Sequence, residues 1–346
     1  MHAVVFHGPG DKRWEEVPDP KIVDDGDAVV RITATTICGT DLHILKGDVP
    51  AVTPGRILGH EAVGTVVETG PGVRSVKPGD HLLLSCISAC GRCRYCREGQ
   101  YSQCLGGGGW IFGHLVDGVQ ADLARVPFAD TSTYPVPEGL SDEQVLYLAD
   151  ILPTGFEVGV LNGRVQPGDI VVVVGAGPVG LAAILGARLY SPAAIVAVDP
   201  TAARRDWAEK FGANVATSPE QARAEVDRLT DDLGADTAIE AVGIPETFEQ
   251  CTELIRPGGR VANVGVHGRP ATLHLESLWI KNVTITTGLV DTFSTATLLK
   301  TVAAGRIDPT RFTTHRFALP DAMEAYDTFA RAGETNALKV LLTADG

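Results

Sequence analysis

Apolar and polar residues alternate in short segments over the part of the chain before about residue 150. The clearest of these segments are DAVVRITATTIC, EAVGTVVETG and DHLLLSC, and turn-like stretches such as PGVRSVKPGD separate them. Short runs bounded by glycine and proline are typical of β-strands. The pattern predicts a small all-β, barrel-like domain in this part of the chain.

The pattern changes after ILPTG. The segment GDIVVVVGAGPVGLAAILGARLY predicts a buried strand, a glycine-rich turn and a helix, and AAIVAVD, DDLGADTAIEAVG and GGRVANVGV predict further strands. Strands that alternate with helices indicate a parallel, doubly wound sheet of the Rossmann type. A helix, DAMEAYDTFARAG, and a closing strand, ALKVLLT, follow near the end. The predicted fold class is therefore α/β with a β-rich first domain.

Composition narrows the possible functions. A chain of 346 residues with 44% hydrophobic residues is long enough for two domains. A net charge of −14 argues against a nucleic-acid partner or an anionic membrane surface, because both favour a basic face. The start, MHAVVFHGPGDKRWEE, has no apolar signal region, and no uncharged apolar run approaches the roughly 20 residues of a membrane span. We expect a cytoplasmic protein with reduced thiols.

Four of the seven cysteines lie in the stretch CGRCRYCREGQYSQC: Cys90, Cys93, Cys96 and Cys104. In a reducing compartment such spacing favours metal over disulfides, and zinc accepts four thiolates at the corners of a tetrahedron. An iron–sulfur cluster and two surface disulfides are the alternatives, but ferredoxin-type runs place the fourth cysteine three residues on, before a proline. A four-thiolate zinc site has no open coordination position. We therefore expect this zinc to be structural.

Gly175, Gly177 and Gly180 form a G-x-G-x-x-G motif between a predicted strand and a predicted helix. In that setting the glycines allow a tight turn, close approach of a pyrophosphate and helix–strand packing. The helix N-terminus, which begins at Pro178 and Val179, favours the bound anion. The motif predicts a dinucleotide site, and an ordinary α/β turn is the alternative.

Asp199 ends the second strand of the predicted Rossmann domain. A carboxylate there can accept hydrogen bonds from ribose hydroxyls and repels a 2′-phosphate, which favours NAD over NADP. Arg204 and Arg205 complicate this prediction, because a 2′-phosphate could recruit them; solvated helix charge is the simpler interpretation.

The first domain also contains two short stretches with candidate reactive groups. The stretches TTICGTDLH and ILGHEAVGTV supply six candidates: Cys38, Thr40, Asp41, His43, His60 and Glu61. A lone Cys and a lone His at this separation mean little by themselves. The remaining seven histidines are interpreted as ordinary core or surface residues: His2, His7, His81, His114, His267, His274 and His315.

Together these motifs resemble the zinc-dependent, medium-chain alcohol dehydrogenases. The resemblance rests on CGTDLH, GHEAVGTVVETG, VKPGD, the four-cysteine lobe, GAGPVG, PGGR and LKVLL, in this order along nearly the whole chain. It implies a GroES-like catalytic domain over 1–152 and 291–346, with the zinc lobe at about 86–105. A Rossmann domain over 153–290 is inserted between the two parts.

The resemblance implies a catalytic zinc with Cys38 and His60 as ligands. The third ligand of the family is commonly a cysteine, and Asp150 occupies that position here, as in secondary-alcohol and formaldehyde dehydrogenases. Carboxylate is an acceptable zinc ligand. Glu61 is expected to approach or support the zinc, and Asp41 is expected to accept the ring N–H of His60. With the lobe, two zinc ions per subunit are expected.

The resemblance also implies roles for residues around the alcohol and the cofactor. Thr40 is expected to pass the proton of the alcohol through the cofactor ribose to His43. Cofactor contacts are implied, beyond the glycine turn and Asp199, for Arg204, Gly243, Gly265, Val266, Leu289 and Lys339. A substrate pocket is implied for Thr40, Cys86, Ile87, Trp110 and Leu289. Gly39 stands where relatives commonly have a phosphate-contacting arginine or histidine.

The resulting hypothesis is a zinc- and NAD-dependent oxidoreductase that interconverts a small, secondary alcohol and its ketone. A formaldehyde or other primary-alcohol dehydrogenase is the nearest alternative. A zinc-free quinone or enoyl reductase, a zinc-lobe nucleic-acid binder and a protein that keeps the fold without turnover are further alternatives. The enzyme is expected to be a homo-oligomer, a homotetramer rather than a dimer.

Overall fold

The computed structural model describes residues 1–344 and divides the chain into two compact units. The first unit comprises Met1–Asp150 and Asp291–Gly346, and the second comprises Ile151–Val290. The second unit begins two residues before the expected boundary at residue 153. Each unit has its own sheets and its own hydrophobic core.

The strands lie mostly where the apolar pattern predicts them. In chain order they are β1 His2–Gly8, β2 Asp11–Glu16, β3 Ala28–Thr36, β4 Arg56–Ile57, β5 Ala62–Thr69, β6 His81–Leu84, β7 Leu123–Val126, β8 Thr133–Pro135, β9 Ile170–Val174, β10 Ala194–Val198, β11 Val215–Thr217, β12 Ala235–Glu240, β13 Ile255–Asn263, β14 Thr284–Thr287, β15 Thr313–Ala318 and β16 Lys339–Thr343.

The helices are short in the first unit and longer in the second. The α-helices are α1 Gly39–Lys46, α2 Arg94–Arg97, α3 Ala129–Ser132, α4 Asp142–Leu146, α5 Ile151–Thr154, α6 Pro178–Arg188, α7 Ala202–Phe211, α8 Ala222–Thr230, α9 Pro245–Leu254, α10 Leu275–Leu278, α11 Thr295–Ala303, α12 Ala322–Ala330 and α13 Ala332–Thr335. A π-helical turn, Gly155–Leu161, continues α5. Four 3₁₀ turns are Tyr101–Gln103, Trp279–Lys281, Pro309–Phe312 and Leu319–Asp321.

The first unit is built on a seven-stranded sheet in the order β15-β16-β3-β5-β6-β8, with β7 also paired to β3. A second sheet has the order β2-β1-β4. Fully buried aliphatic residues such as Val30, Ile32, Leu82 and Leu84 pack on one side of the large sheet. The closing strand β16 pairs with β3, so the C-terminal segment completes the sheet that the N-terminal segment begins.

The second unit contains a six-stranded parallel sheet in the order β11-β10-β9-β12-β13-β14. Its central strand β9, IVVVV, is nearly continuous in buried valine, as a parallel strand covered on both faces should be. The chain starts at β9, proceeds to one edge and then crosses to the other side through β12. The predicted α/β class, with a β-rich first domain and a doubly wound parallel sheet, is confirmed.

One helical run among the described residues, Asp142–Leu161, is long and apolar enough to cross a membrane by length and composition alone. Its most apolar window is 78% buried inside the protein, as is usual for a core helix. This run is therefore weak grounds for a membrane span.

Candidate functional site

The register of the large sheet brings Cys38 and His60 together. Strands β3 and β5 are antiparallel, with Thr35 opposite Ala62, so the end of β3 meets the start of β5. Cys38 follows β3 and His60 precedes β5, and the hydroxyl of Thr35 donates to the carbonyl of Glu61 at 2.7 Å, which fastens the two ends. Two residues that are 22 positions apart in sequence therefore share one sheet edge.

Asp41 fixes the turn that carries Cys38. Its Oδ2 accepts the backbone N–H of Cys38 at 2.8 Å, which caps the start of α1, and an N–H of the Gln120 side chain at 3.3 Å. The other oxygen, Oδ1, lies 3.7 Å from Nδ1 of His60. Asp41 is thus placed as the expected outer acceptor for the His60 ring, at a distance longer than a hydrogen bond.

Asp150 reaches the same place from a segment that lies beside the end of β6. The backbone N–H of Cys86, just beyond β6, donates to the carbonyl of Ala149 at 3.0 Å. This bond holds the end of the first unit against the strand next to β5. Asp150 Oδ2 then lies 3.3 Å from His60 Nε2 and 3.7 Å from Cys38 Sγ.

We name Cys38, His60, Glu61 and Asp150 the mixed cluster. One ligand atom from each lies within 4.8 Å of the others. Zinc bonds of about 2.0–2.3 Å place neighbouring ligand atoms about 3.3–3.8 Å apart in a tetrahedral site, and two of the observed separations are 3.3 and 3.7 Å. His60 Nδ1, Glu61 Oε2 and Asp41 Oδ1 are buried with no hydrogen-bond partner among the described residues. The donor set and its spacing fit zinc.

The electrostatics of the mixed cluster also favour a cation. Burial lowers the pKa of His60, but Asp150, Cys38 and the charge of Asp41 outweigh burial and raise that pKa well above its usual value. Burial raises the pKa of Cys86, and the neighbouring Asp150 and Glu61 raise it further. Anionic groups are therefore concentrated around one buried imidazole, and a divalent cation would neutralise them.

Lys339, which is expected near the cofactor's phosphates and ribose, lies beside Glu61 of the mixed cluster. Its side chain is 1% exposed, and Nζ donates to Glu61 Oε1 at 2.6 Å and to the carbonyl of Ile37 at 3.0 Å. Burial lowers the pKa of Lys339, but the charges of Glu61 and Cys38 and the hydrogen bond to Glu61 together raise it above its usual value, so the ammonium stays charged. Strand β16 brings Lys339 beside β3, which explains its pairing with Glu61.

The expected substrate-pocket residues of the first unit lie around the mixed cluster. Cys86 and Ile87 are buried directly after β6. The Trp110 ring lies edge-to-face with the His60 ring, with centroids 6.3 Å apart. Leu289 belongs to the second unit and is exposed. Trp110 therefore supplies an apolar wall beside the anionic groups around His60, as expected for a site that binds an uncharged alcohol.

Thr40 and His43 lie on α1, three residues apart and hence on neighbouring positions of one helix face. The hydroxyl of Thr40 is 3.7 Å from Cys38 Sγ. His43 is exposed, and its Nδ1 lies 2.8 Å from a carboxylate oxygen of Asp48. The helix thus carries one hydroxyl beside the mixed cluster and one imidazole at the surface.

We name Cys90, Cys93, Cys96 and Cys104 the thiol cluster. Their sulfur atoms lie within 4.8 Å of one another, with Cys93 and Cys96 at 3.4 Å and Cys90 and Cys96 at 3.9 Å. Tetrahedral Zn–S bonds of about 2.3 Å require sulfurs about 3.8 Å apart, so the spacing fits zinc. All seven cysteines of the chain are free thiols in the structure.

Backbone N–H groups stabilise thiolates in the thiol cluster. Hydrogen bonds from the backbone at Cys96 and Leu105 lower the pKa of Cys93 to about 6. Burial and the neighbouring sulfurs of Cys93 and Cys104 raise the pKa of Cys96 to about 12. One sulfur ionises easily and the next resists, as expected where several thiolates crowd together without a cation between them. Gly106 is required beside them, because a Cβ there would lie 2.7 Å from Cys90 Sγ.

The glycine motif of the second unit forms the predicted turn between β9 and α6. Gly175 has φ of +97°, and a Cβ at Gly180 would lie 1.9 Å from the carbonyl oxygen of Gly175. A Cβ at Gly177 would meet nothing within 4 Å. Gly177 instead lines a cavity of about 800 Å³, and α6 begins beside it at Pro178, so the free N–H groups of the first helical turn start at Val179. The turn therefore fits a pyrophosphate.

Asp199 lies in the same cavity, at the end of β10. Its Oδ2 accepts the backbone N–H of Ala176, within the glycine turn, and its Oδ1 accepts that of Thr201, each at 2.9 Å. Arg205 donates to the carbonyls of Asp199 and Pro200. Of the two arginines only Arg204 lines the cavity.

Part of the lining of this cavity is acidic. Glu246, Glu249 and Glu253 line it from α9, where spacings of three and four residues place them on one helix face. With Asp199, four carboxylates line the cavity together with Arg204. The sequence interpretation did not include the α9 carboxylates, although their spacing was visible.

Glu240 is a further residue that sequence reasoning missed. It is fully buried at the end of β12, and its Oε1 accepts the backbone N–H groups of Val242 and Gly243 and the hydroxyl of Thr247 at 2.7–2.9 Å. It therefore holds the turn that carries Gly243. A Cβ at Gly265 would lie 2.2 Å from Gly243 N, so this crossing requires glycine. Val266 beyond it is 78% exposed. A single acidic residue at the end of an apolar strand was the available signal.

Comparison with known proteins identifies the family. The Alcohol dehydrogenase GroES-like domain matches residues 24–138, and the Zinc-binding dehydrogenase family matches residues 178–302. An alcohol dehydrogenase of Cupriavidus necator is 37% identical over 351 residues, with 95% of each chain covered.

Solved structures agree. Zinc dependent alcohol dehydrogenase 2 from Streptococcus pneumonia is 48% identical with a TM-score of 0.95, covering 100% of this chain and 99% of that one. Alcohol dehydrogenase TADH from Thermus sp. ATN1 is 38% identical with a TM-score of 0.92, covering 99% of both. The predicted resemblance is confirmed: the chain belongs to the zinc-dependent alcohol dehydrogenases, oxidoreductases with a GroES-like and a Rossmann-like domain.

Proposed function

We propose that this oxidoreductase interconverts small secondary alcohols and ketones with NAD(H) as the hydride carrier, and that it holds two zinc ions per subunit. The observation that carries the proposal is the mixed cluster: three different donor types, spaced as zinc requires, beside an apolar wall. Three protein ligands leave a fourth position open for substrate, whereas four thiolates do not.

In the proposed arrangement Cys38, His60 and Asp150 hold the catalytic zinc. When bound there, zinc would supply Lewis-acid polarisation of an alcohol oxygen. Asp41 orients the His60 ring so that Nε2 faces the cluster, since Nδ1 is the nitrogen turned toward Asp41. Glu61 is neutralised by Lys339 and keeps one oxygen, Oε2, available beside the ligands.

The proton of the alcohol needs a path to water. In this proposal Thr40 Oγ1, beside Cys38, would accept it, and His43, at the surface of α1, would exchange it with solvent. A histidine imidazole can both accept and release a proton. Both of these residues lie on α1.

NAD is proposed over NADP because of charge. The cavity beside the glycine turn presents Asp199, Glu246, Glu249 and Glu253 and a single arginine, Arg204. An added 2′-phosphate would meet an excess of negative charge there. A zinc-binding dehydrogenase from Sinorhizobium meliloti, 27% identical, was solved with NADP. NADP is therefore the alternative that the experiment must include.

A secondary alcohol is proposed because Asp150 replaces the more common cysteine. Among relatives, the L-threonine 3-dehydrogenase of Pyrococcus horikoshii, 33% identical over 94% of this chain, is named for a substrate whose 3-hydroxyl is a secondary alcohol. The apolar wall that Trp110 supplies beside His60 favours an uncharged substrate. A formaldehyde or primary-alcohol activity remains the second candidate.

We also propose a cytoplasmic homo-oligomer, with a homotetramer ahead of a dimer. The free, clustered thiols support a reducing compartment. Large apolar side chains of the second unit are exposed together in one stretch: Leu273, Leu275, Trp279 and Ile280. A contiguous apolar surface of this kind is typical of a subunit interface. Sedimentation analysis of the purified protein would give the subunit number.

The proposed function is tested with purified protein of measured zinc content. Propan-2-ol, butan-2-ol, ethanol, propan-1-ol and formaldehyde are each assayed with NAD and with NADP by the absorbance of the reduced nicotinamide. We expect the highest kcat/KM with a secondary alcohol and NAD. Higher efficiency with NADP, or with formaldehyde, would replace the proposed cofactor or substrate.

A substitution sharpens the cofactor test. Asp199→Ser should raise the ratio of NADP to NAD efficiency, because it removes a carboxylate while Arg204 remains. Efficiency with NAD should also fall, since Asp199 holds the glycine turn through Ala176. Asp206→Ser removes a charge from α7, the helix that carries Arg204, outside the cavity lining and serves as the matched control.

A further inference from the structure

The Trp110 ring is fixed by a residue that the sequence interpretation set aside. The ring of His114 stacks on the Trp110 ring, with centroids 4.2 Å apart and an interplanar angle of 22°. The same imidazole donates from Nδ1 to the carbonyl oxygen of Trp110 at 3.0 Å. Because a carbonyl only accepts, this contact places the proton on Nδ1.

The indole of Trp110 packs against the hydrophobic core of the first unit, and the His114 ring is its nearest aromatic neighbour among the described residues. The indole N–H is buried without a hydrogen-bond partner among residues 1–344. Directly upstream, Gly109 exchanges two backbone hydrogen bonds with Ser88, which hold the main chain and not the indole. The orientation of the Trp110 side chain therefore depends on packing, and its stack with His114 is the tightest ring contact it makes.

Trp110 in turn covers the mixed cluster. Its ring lies edge-to-face with the His60 ring, with centroids 6.3 Å apart and an angle of 75°. His60 is only 4% exposed. The three rings thus form a continuous series from the 110–114 turn to a candidate zinc ligand.

We propose that His114 is a positioning residue that holds Trp110 over His60 and thereby sets the width of the alcohol site. His114 does not touch the mixed cluster; it acts through Trp110 by two contacts, the stack and the hydrogen bond. Loss of both contacts lets the indole leave its position, which widens the site and admits bulkier alcohols. This inference rests on the proposed function.

Three substitutions separate the two contacts. His114→Ala removes both, His114→Phe keeps an aromatic ring without the donor, and His114→Asn keeps a donor near the position of Nδ1 without the ring. His2→Ala is the matched control, because it removes a histidine that stacks on another tryptophan, Trp14. Each variant is prepared as the zinc-loaded enzyme.

Two readouts are used. The first is the ratio of kcat/KM for 1-phenylethanol to that for propan-2-ol. The second is acrylamide quenching of Trp110 fluorescence in a background where the other three tryptophans, Trp14, Trp207 and Trp279, are phenylalanine. The second readout needs no turnover and reports the exposure of the indole directly.

We expect His114→Ala to raise the specificity ratio about tenfold, the scale of one aromatic stack together with a hydrogen bond, and to increase quenching of Trp110. His114→Phe should stay close to the unsubstituted enzyme in quenching, and His2→Ala should change neither readout. If His114→Ala does not fold, His114→Asn carries the same test, with a raised ratio and raised quenching expected.

The proposal is overturned if His114→Ala and His114→Asn leave either readout unchanged. It is also overturned if His2→Ala changes the specificity ratio by as much as His114→Ala does. If the unsubstituted enzyme oxidises no alcohol, the proposed function fails. In that case the quenching measurement alone still decides whether His114 holds Trp110, so the two failures are distinguishable.

Discussion

The mixed cluster and the thiol cluster of the first unit have similar spacing and different construction. The thiol cluster takes four identical donors from residues 90–104, whereas the mixed cluster takes a thiol, an imidazole and carboxylates from three separate parts of the chain. His60 and Glu61 are 4% and 1% exposed, while three of the four lobe cysteines are only half-buried. The thiol cluster lies in a loop near the surface, and the mixed cluster lies deeper, where the end of β3 meets the start of β5.

The difference shows that the donor types of a metal site depend on where in the chain its ligands come from. A loop can gather four thiolates without help from the rest of the protein, and the result is a closed site. Donors that arrive from three separate parts of the chain differ in type, and here Trp110 and Thr40 lie beside them. We therefore expect substitutions in the mixed cluster to affect turnover and those in the thiol cluster to affect stability.

The largest effect is expected at Asp150. Asp150→Asn replaces an anionic donor by a neutral amide and should lower kcat/KM by at least about 100-fold with loss of one zinc per subunit. Asp150→Cys should retain that zinc, because it restores a thiolate donor. Zinc content and turnover are measured together. Full zinc with near-normal turnover in Asp150→Asn would remove Asp150 from the cluster and leave Glu61 as the third ligand.

The next effect is expected in the thiol cluster. Cys90→Ser removes a ligand from a closed site and should lower the free energy of unfolding by an amount on the order of 4 kcal/mol, seen by chemical denaturation. A chelator should bring the unsubstituted protein toward the same stability. Arg94→Ala changes an exposed lobe residue and should change stability by about 0.5 kcal/mol or less. Unchanged stability in Cys90→Ser would contradict a structural role for the lobe.

A buried ion pair is a further difference between the two clusters. Among residues 1–344, Lys339 pairs with Glu61 of the mixed cluster, and no such pair involves the thiol cluster. Lys339→Met leaves Glu61 buried and uncompensated, and should cost about 3 kcal/mol of stability. The double variant Lys339→Met/Glu61→Gln should recover most of that loss. Lys77→Met breaks an exposed pair and is the control, with little change expected. A small loss in Lys339→Met would show that Glu61 is neutral.

The smallest effect concerns the support of the lobe. The side chain of Thr131 in α3 donates to the carbonyl of Ala89, next to Cys90, and Asp130 holds α3 by accepting from Ser75 and from the backbone N–H of Arg74. Burial raises the pKa of Asp130, but these hydrogen bonds lower it by more, so its pKa is below the usual value.

A depressed carboxyl pKa stabilises the fold above the pKa of the unfolded chain, and the gain is lost as pH falls through the folded value. Asp130→Asn should therefore lower the free energy of unfolding by about 1 kcal/mol at neutral pH. The difference from the unsubstituted protein should be constant between pH 8 and about 5 and should narrow below about 4. Melting temperatures across this range measure it. A difference that grows on acidification would contradict the assigned hydrogen bonds.

The sequence by itself determined the features that are local. Apolar periodicity predicted β3, β5, β9 and α6, because burial of one or both faces of an element requires apolar residues at regular positions in the sequence. The glycine turn and the thiol cluster could also be predicted from the sequence, because the residues of each lie within one short stretch of the chain. Even Asp150 was recognisable as a candidate, but only through the family's motif.

Only the tertiary structure decided which distant residues meet. The pairing of Lys339 with Glu61 depends on β16 joining β3, and nothing near either residue in sequence shows that partnership. The stack of His114 on Trp110 depends on a turn whose shape the sequence pattern does not specify. Long-range register is set by the burial of whole faces, so side chains at strand ends and in connecting turns receive their partners only when the sheet is assembled.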